Sequence, residues 1–271
     1  MVTQEQRKRQ LAREKFLRQQ QRRTAARRKA RMRNSVIASV LGVILVGSLA
    51  LYTSDVLKGD DDKSDAAAAT PSPTPSAIAD PCKKAAEGKV KTATWKKEPS
   101  MTIDKSAKYT MKLATTCGDI DIALKTKAAP HTVNSFDFLA AKGYFDHTKC
   151  HRLTTNGIYV LQCGDPTGSG SGGPGYTIPD ENLKDKSLKD NIYPAGTIAM
   201  ANTGKAHTGG SQFFLVYQDS QLPPSYTPFG TVSESGMTVL KKIAAAGEST
   251  GAGDGAPNAT VVINKATVTK S

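Results

Sequence analysis

Most of the signatures that announce an enzyme are missing from this chain of 271 residues. It has no G-x-S-x-G elbow to expose a nucleophilic serine, no H-E-x-x-H to hold zinc and no C-x-x-C to carry redox chemistry. The four histidines, His131, His147, His151 and His207, lie without ligand spacing, so each is expected to be a surface or hydrogen-bonded structural group. The run from Gly168 to Gly175 lacks the Lys-Ser/Thr pair that closes a phosphate loop, and reads as a long irregular loop. Nothing here asks for a metal or a cofactor.

Acidic residues are scarce at the start. Residues 1–33 hold 13 Lys/Arg against 2 Asp/Glu, which leaves 24 basic and 22 acidic residues for the rest, so the net charge of +13 belongs almost wholly to the leader. The leader also lacks Pro, Gly and interleaved aromatics, so it reads as a solvated helix near anionic headgroups, and nucleic acid is not an expected partner. Charge then vanishes from Asn34 to Ser54, a nearly apolar stretch of the ~20 residues that span a bilayer as a helix. With the basic block in front of it, this predicts a single-pass anchor with a cytoplasmic N-terminus and an extracytoplasmic remainder. The alternative, a signal peptide cleaved near Ser48-Leu49-Ala50, is disfavoured by the length of the charged leader.

Residues 55–81, with their Asp, Ala and Pro-Ser/Thr runs, are too polar and repetitive to bury a core and read as a tether. Globular composition begins at Cys82, giving a lead-in segment, 82–108, and a domain, 109–271. Strands are expected at 109–113, 119–124, 150–155, 159–163, 197–201, 213–217, 227–232 and 259–268. Helices are expected from Pro130 or Thr132, with Val133, Phe136 and Leu139 as a buried stripe, and over 237–246. Many short strands with two helices suggest an antiparallel barrel or sandwich with helices at its ends.

What remains for chemistry is one guanidinium among neutral and apolar groups: Arg152, Gln162, Met200-Ala201-Asn202 and Ser211-Gln212-Phe213-Phe214. These lie in register with Ala129-Pro130-His131-Thr132-Val133-Asn134-Ser135-Phe136, Gln162-Cys163-Gly164-Asp165, Gly172-Gly173-Pro174-Gly175-Tyr176, Pro179-Asp180-Glu181-Asn182 and Phe229-Gly230. In that order and spacing, roughly Tyr109 to Val268 resembles the cyclophilin family of peptidyl-prolyl isomerases, in particular bacterial, actinobacterial-like members. The resemblance implies a closed eight-stranded antiparallel barrel capped by two helices, preceded here by the anchor and tether.

It also implies roles. Arg152 would be the catalytic arginine, Gln162 the glutamine beside it, and Phe214 the floor of a proline pocket; Ala201, with Asn202, would meet the substrate backbone, Gln212 would sit beside it, and Leu222 would be a wall. Tyr159-Val160 stand where the family has Phe-Met, in a hairpin two residues longer, so Ile158 or Tyr159 fills the first slot. Tyr226 replaces a pocket histidine, and Gln221 replaces the tryptophan of cyclosporin-sensitive members, so cyclosporin binding is expected to be weak. The implied function is isomerisation of X-Pro bonds in exported, proline-containing polypeptides by a monomer, the alternative being a proline-peptide binding or chaperone module without turnover.

Four cysteines, Cys82, Cys117, Cys150 and Cys163, can form two disulfides in three pairings. A two-residue turn at Asn156-Gly157 would put Cys150 opposite Cys163 but send Arg152 and Gln162 to different faces. If Arg152 and Gln162 share a face, a bulge-free hairpin cannot join its own two cysteines. The active-face register is preferred here, so Cys82 or Cys117 is expected to pair with at least one of them.

Overall fold

The computed structural model describes residues 80–271; the basic leader, the apolar stretch 34–54 and most of the tether lie outside the described residues. No helix among the described residues is long and apolar enough to cross a membrane.

Alternation of small polar and apolar residues makes β1 (Tyr109–Thr115) and β2 (Gly118–Leu124) a hairpin with one buried face, carrying Met111, Leu113, Ile120 and Ile122. Pro130 starts α1 (Pro130–Ala141), where its missing N–H costs nothing. The three-residue spacing of Val133, Phe136 and Leu139 turns all three inward, and the Phe136 ring meets Phe229, Phe145 and Phe213 at 4.6, 5.2 and 5.6 Å. Then come β3 (Thr148–Lys149), β4 (Arg152–Thr154), β5 (Val160–Cys163), β6 (Ile192–Tyr193), β7 (Thr197–Met200), β8 (Phe213–Val216), β9 (Ser220–Gln221) and β10 (Pro228–Val232). Helix α2 (Glu234–Ala245) begins three residues before the expected Met237, because Ser233 caps it by accepting a hydrogen bond from the Gly236 N–H and Glu234 fills the first turn. The chain ends with β11 (Asp254–Gly255) and β12 (Val262–Lys270).

The main sheet has ten strands in the order β11-β4-β5-β8-β7-β10-β2-β1-β12-β3, with β6 and β9 forming a separate pair. Its hydrogen-bonded order has two ends, so the sheet is curled but open at β11 and β3, where a closed eight-stranded barrel was expected. The added strands are two residues long, too short to leave a periodic pattern in the sequence.

The disulfides correct the expected pairing. Cys82 joins Cys117, and Cys150 joins Cys163, while Arg152 still pairs with Gln162 across β4 and β5. Both demands are met because His151 intervenes: its N–H donates to the Gln162 carbonyl at 3.1 Å, so two residues, His151 and Arg152, face one. That two-against-one count is a β-bulge, and it flips Cys150 to the inner face while Arg152 stays outside. Both hairpin cysteines lie in the main core.

The lead-in is a strap rather than a spacer. Cys82 ties it to the β1–β2 turn, the Trp95 ring sits edge-on to Phe138 at 5.1 Å, and the Trp95 N–H donates to the Pro174 carbonyl at 2.8 Å. Further on, the buried side chain of Asn134 accepts from the Thr102 N–H and donates to the Ser100 carbonyl.

Non-reducing peptide mapping is expected to recover Cys82 with Cys117 and Cys150 with Cys163, and no mixed species. Replacing Cys82 and Cys117, 35 residues apart, by alanine should cost about 4 kcal/mol and lower Tm on the order of 10 °C. An unchanged Tm would mean the strap is held without its covalent tie.

Candidate functional site

Three adjacent strands bury both of their faces. In β8, Phe213 and Leu215 point into the main core, whereas Phe214 and Val216 belong to a second cluster with Val160, Tyr193, Ala199 and Leu222. In β7, Ile198 and Met200 face inward and Ala199 outward; in β5, Leu161 faces inward and Val160 outward. Outer-face residues at matching register form a row across four strands, Arg152 beside Gln162, Gln162 beside Phe214, and Phe214 beside Ala199. Neighbouring strands lie about 4.8 Å apart, so the row carries a charge, an amide and an aromatic ring within some 15 Å.

Beside this row is a pocket of about 100 Å3, walled by Arg152, Gln162, Phe214, Val160, Leu222, Tyr226, Ile158, Ala201 and Asn202. The Tyr226 ring stands edge-on to Phe214 at 5.4 Å, and its backbone is fixed by the Tyr193 hydroxyl, which donates to the Tyr226 carbonyl at 2.8 Å. Ala201 donates its N–H to the Gln212 carbonyl, and the Asn202 side chain donates to the Ser225 carbonyl, so this rim is fastened to the residue before β8 and to the loop before β10. A more open depression of about 420 Å3 adjoins it, sharing Gln162, Ala201 and Asn202 and extending to Gly172 and Thr208.

The polar side of the site is a relay. Arg152 donates from Nη1 to Gln162 Oε1 at 3.2 Å, Gln162 from Nε2 to Gln212 Oε1 at 2.9 Å, and Gln212 from Nε2 to the Gly172 carbonyl at 2.9 Å. The relay fixes which end of each amide is oxygen. Arg152 also makes a two-pronged ion pair, Nε to Asp254 Oδ1 at 2.7 Å and Nη2 to Oδ2 at 2.9 Å. The carboxylate pushes the guanidinium pKa above its ordinary value, against the effect of burial.

Asp165 anchors the glycine-rich loop at the far end of the relay. Its buried carboxylate accepts from the Thr167 N–H and hydroxyl and from the Gly170 and Gly172 N–H groups, at 2.6 to 3.1 Å. Gly172 approaches so closely that a Cβ there would run into Asp165 Oδ1. Burial raises the Asp165 pKa, but the Thr167 hydroxyl and the loop N–H groups outweigh it and hold the carboxyl down at about 2.

Most residues singled out from the sequence therefore converge: Arg152, Gln162, Phe214, Val160, Ala201, Asn202, Leu222 and Tyr226 line the pocket, with Gln212 next to it. Tyr159 does not; its ring packs on Tyr217 at 5.9 Å, and Ile158 takes the pocket position. Met200 lies in the main core. Nothing in the sequence marks Asp254, which lies 102 residues from Arg152 in a strand only two residues long. Of the histidines, His131 pairs with Glu98 at 2.6 Å and His207 accepts from the Asp180 N–H, while the half-buried His151 ring has no hydrogen-bond partner among the described residues and burial lowers its pKa.

Residues 110–268 match the family model described as cyclophilin type peptidyl-prolyl cis-trans isomerase/CLD. The probable peptidyl-prolyl cis-trans isomerase B of Mycobacterium leprae is 49% identical over 165 residues, covering 58% of this chain and 56% of that protein; its Mycobacterium tuberculosis counterpart is 48% identical, covering 58% and 53%. The Bacillus subtilis peptidyl-prolyl cis-trans isomerase B is 40% identical over 125 residues, 46% of this chain and 82% of that one. A crystal structure of a Cryptosporidium parvum cyclophilin type isomerase superposes with a TM-score of 0.51 at 27% identity, over 60% of this chain and 99% of that one. The chain belongs to the cyclophilin-type peptidyl-prolyl cis-trans isomerase family, and it spans little more than half the length of its mycobacterial relatives.

The depressed Asp165 pKa has a sign that can be checked. Its carboxylate contributes stability that is fully present above an unfolded pKa near 4 and is lost as pH falls towards 2. Acid titration of Tm should therefore be shallower between pH 4 and 2 in Asp165→Asn than in the parent; identical slopes would show that Asp165 does not hold the loop as an anion.

Proposed function

We propose that this cyclophilin-family chain catalyses cis-trans isomerisation of X-Pro peptide bonds. The observation that carries the reading is the guanidinium of Arg152 at the edge of a small pocket of about 100 Å3 walled by the apolar side chains of Phe214, Val160, Ile158 and Leu222.

The chemistry asks for little more. Amide resonance sets a barrier of ~18–20 kcal/mol, and no bond is made or broken. At the twisted transition state the prolyl nitrogen regains a lone pair, which only then can accept a hydrogen bond from Arg152. A donor that is used only there lowers the barrier without tightening ground-state binding. Arg suits this because it keeps its charge and presents a rigid fork of donors. Phe214, Val160 and Leu222 hold the ring still while the preceding carbonyl turns. The polypeptide would cross Ala201 and Asn202 towards the larger depression, with Gln162 and Gln212 as polar contacts.

The setting is part of the proposal. Two disulfides account for all four cysteines, a pattern of oxidising compartments, and the apolar stretch 34–54 behind a basic leader supports anchorage with the domain outside the cytoplasm. The clients would then be exported proteins, whose prolyl isomerisation takes tens of seconds unaided.

In a protease-coupled assay on a short Ala-Pro peptide, Arg152→Ala should lower kcat/KM about 10²- to 10³-fold, the scale for removing one transition-state donor. Phe214→Ala should act mainly through KM. Equal rates for parent and Arg152→Ala would refute the catalytic role. Peptide binding without any parental turnover would favour the binding module instead.

A further inference from the structure

Arg152 is held by two partners that reach it from different parts of the chain. Gln162 comes from the adjacent strand and accepts one hydrogen bond; Asp254 comes from beyond α2 and accepts two. A guanidinium has five N–H groups, so three engaged donors leave one N–H on each Nη atom for a substrate. One hydrogen bond to an amide is a pivot about which the planar group can rotate. Two bonds to a carboxylate fix its plane.

The loop that delivers Asp254 is built for placement. Strand β11 is two residues long and pairs with β4 itself, Asp254 opposite Thr154 and Gly255 opposite Leu153, so the carboxylate is registered on the strand that carries Arg152. Behind it, the mostly buried Glu248 gathers the turn, accepting from the Thr250 N–H and hydroxyl at 2.7 Å and from the Gly253 N–H at 2.8 Å. Gly253 adopts φ +88° and lies so near Asn156 that a Cβ would collide with it, while its carbonyl accepts from the Thr155 N–H at 2.9 Å. The backbone is thus pinned on both sides of Asp254. The carboxylate is half exposed, where an ion pair adds little to folding, so so much local order is not explained by stability alone.

We propose that Asp254 is a positioning residue that holds the plane of the Arg152 guanidinium, so that its remaining donors face the rotating prolyl bond. This rests on Arg152 being the catalytic group. Asp254 is not among the residues that line the apolar pocket, so its removal leaves ground-state binding of the proline ring in place and takes away orientation, which is realised in turnover.

The test is exchange NMR on an Ala-Pro peptide with the whole purified chain, which separates the on-enzyme isomerisation rate from affinity. Asp254→Ala and Asp254→Asn, the second of near-identical size, are expected to isomerise about 10- to 100-fold more slowly with peptide Kd within twofold of the parent and with a parental thermal midpoint. A parental rate in Asp254→Asn overturns the proposal. So does a loss that falls on Kd with the rate unchanged, which would make Asp254 a binding group. Arg152→Ala, run beside them, keeps the two claims apart: if it turns over normally, the catalytic assignment itself fails; if it is slow while Asp254→Asn is normal, only the positioning role fails.

Discussion

The two-residue period of β5, β7 and β8 governs everything that this molecule can do. Each strand carries apolar side chains on both faces, so one set of residues closes the main core around Phe136, Phe213 and Phe229 while the next set builds a smaller apolar cluster on the outer face. The pocket is therefore the back of the core wall. A shift of one residue in β8 would exchange Phe214 for Phe213, and one in β5 would turn Gln162 inward; either would erase the row that aligns Arg152, Gln162 and the pocket floor. Register is held because both faces are buried: slipping costs apolar contacts on each side at once.

The bulge at His151 reconciles two needs that a regular hairpin sets against each other. An inward cysteine at 150 and an outward arginine at 152 break the alternation, and one extra residue restores both. The sequence shows the conflict plainly, since Cys150, Arg152, Gln162 and Cys163 can be counted; its resolution depends on where a hydrogen bond is doubled, and no residue type dictates that. The same limit explains β3, β6, β9 and β11, two-residue pairings that exist because the surrounding chain brings them together.

Longer features were readable. The stripe Val133, Phe136, Leu139 marks α1, and the alternation in 109–124 marks the first hairpin, since each pattern repeats enough times to fix a face. Most of the site was readable through resemblance, because Arg152, Gln162, Phe214 and Tyr226 stand in recognisable blocks. Asp254 stood in none: a Gly-rich turn with one acid says nothing until β11 is seen to pair with β4. Ile158 and Tyr159 were equally eligible for the pocket's first slot by sequence; the fold gives it to Ile158 and turns Tyr159 towards Tyr217.

The covalent tie at Cys82 has a mechanical meaning. Any tension applied to the chain ahead of Asp80 meets the Cys82–Cys117 bond within a few residues and passes directly into the β1–β2 turn. Residues 83–108, including the Trp95 contact with Pro174 that borders the glycine-rich loop, lie downstream of that junction and carry no load. A pull from the N-terminal side would thus bypass the loop, the glutamine relay and the arginine. The domain can be loaded from its N-terminal side with its site outside the line of force.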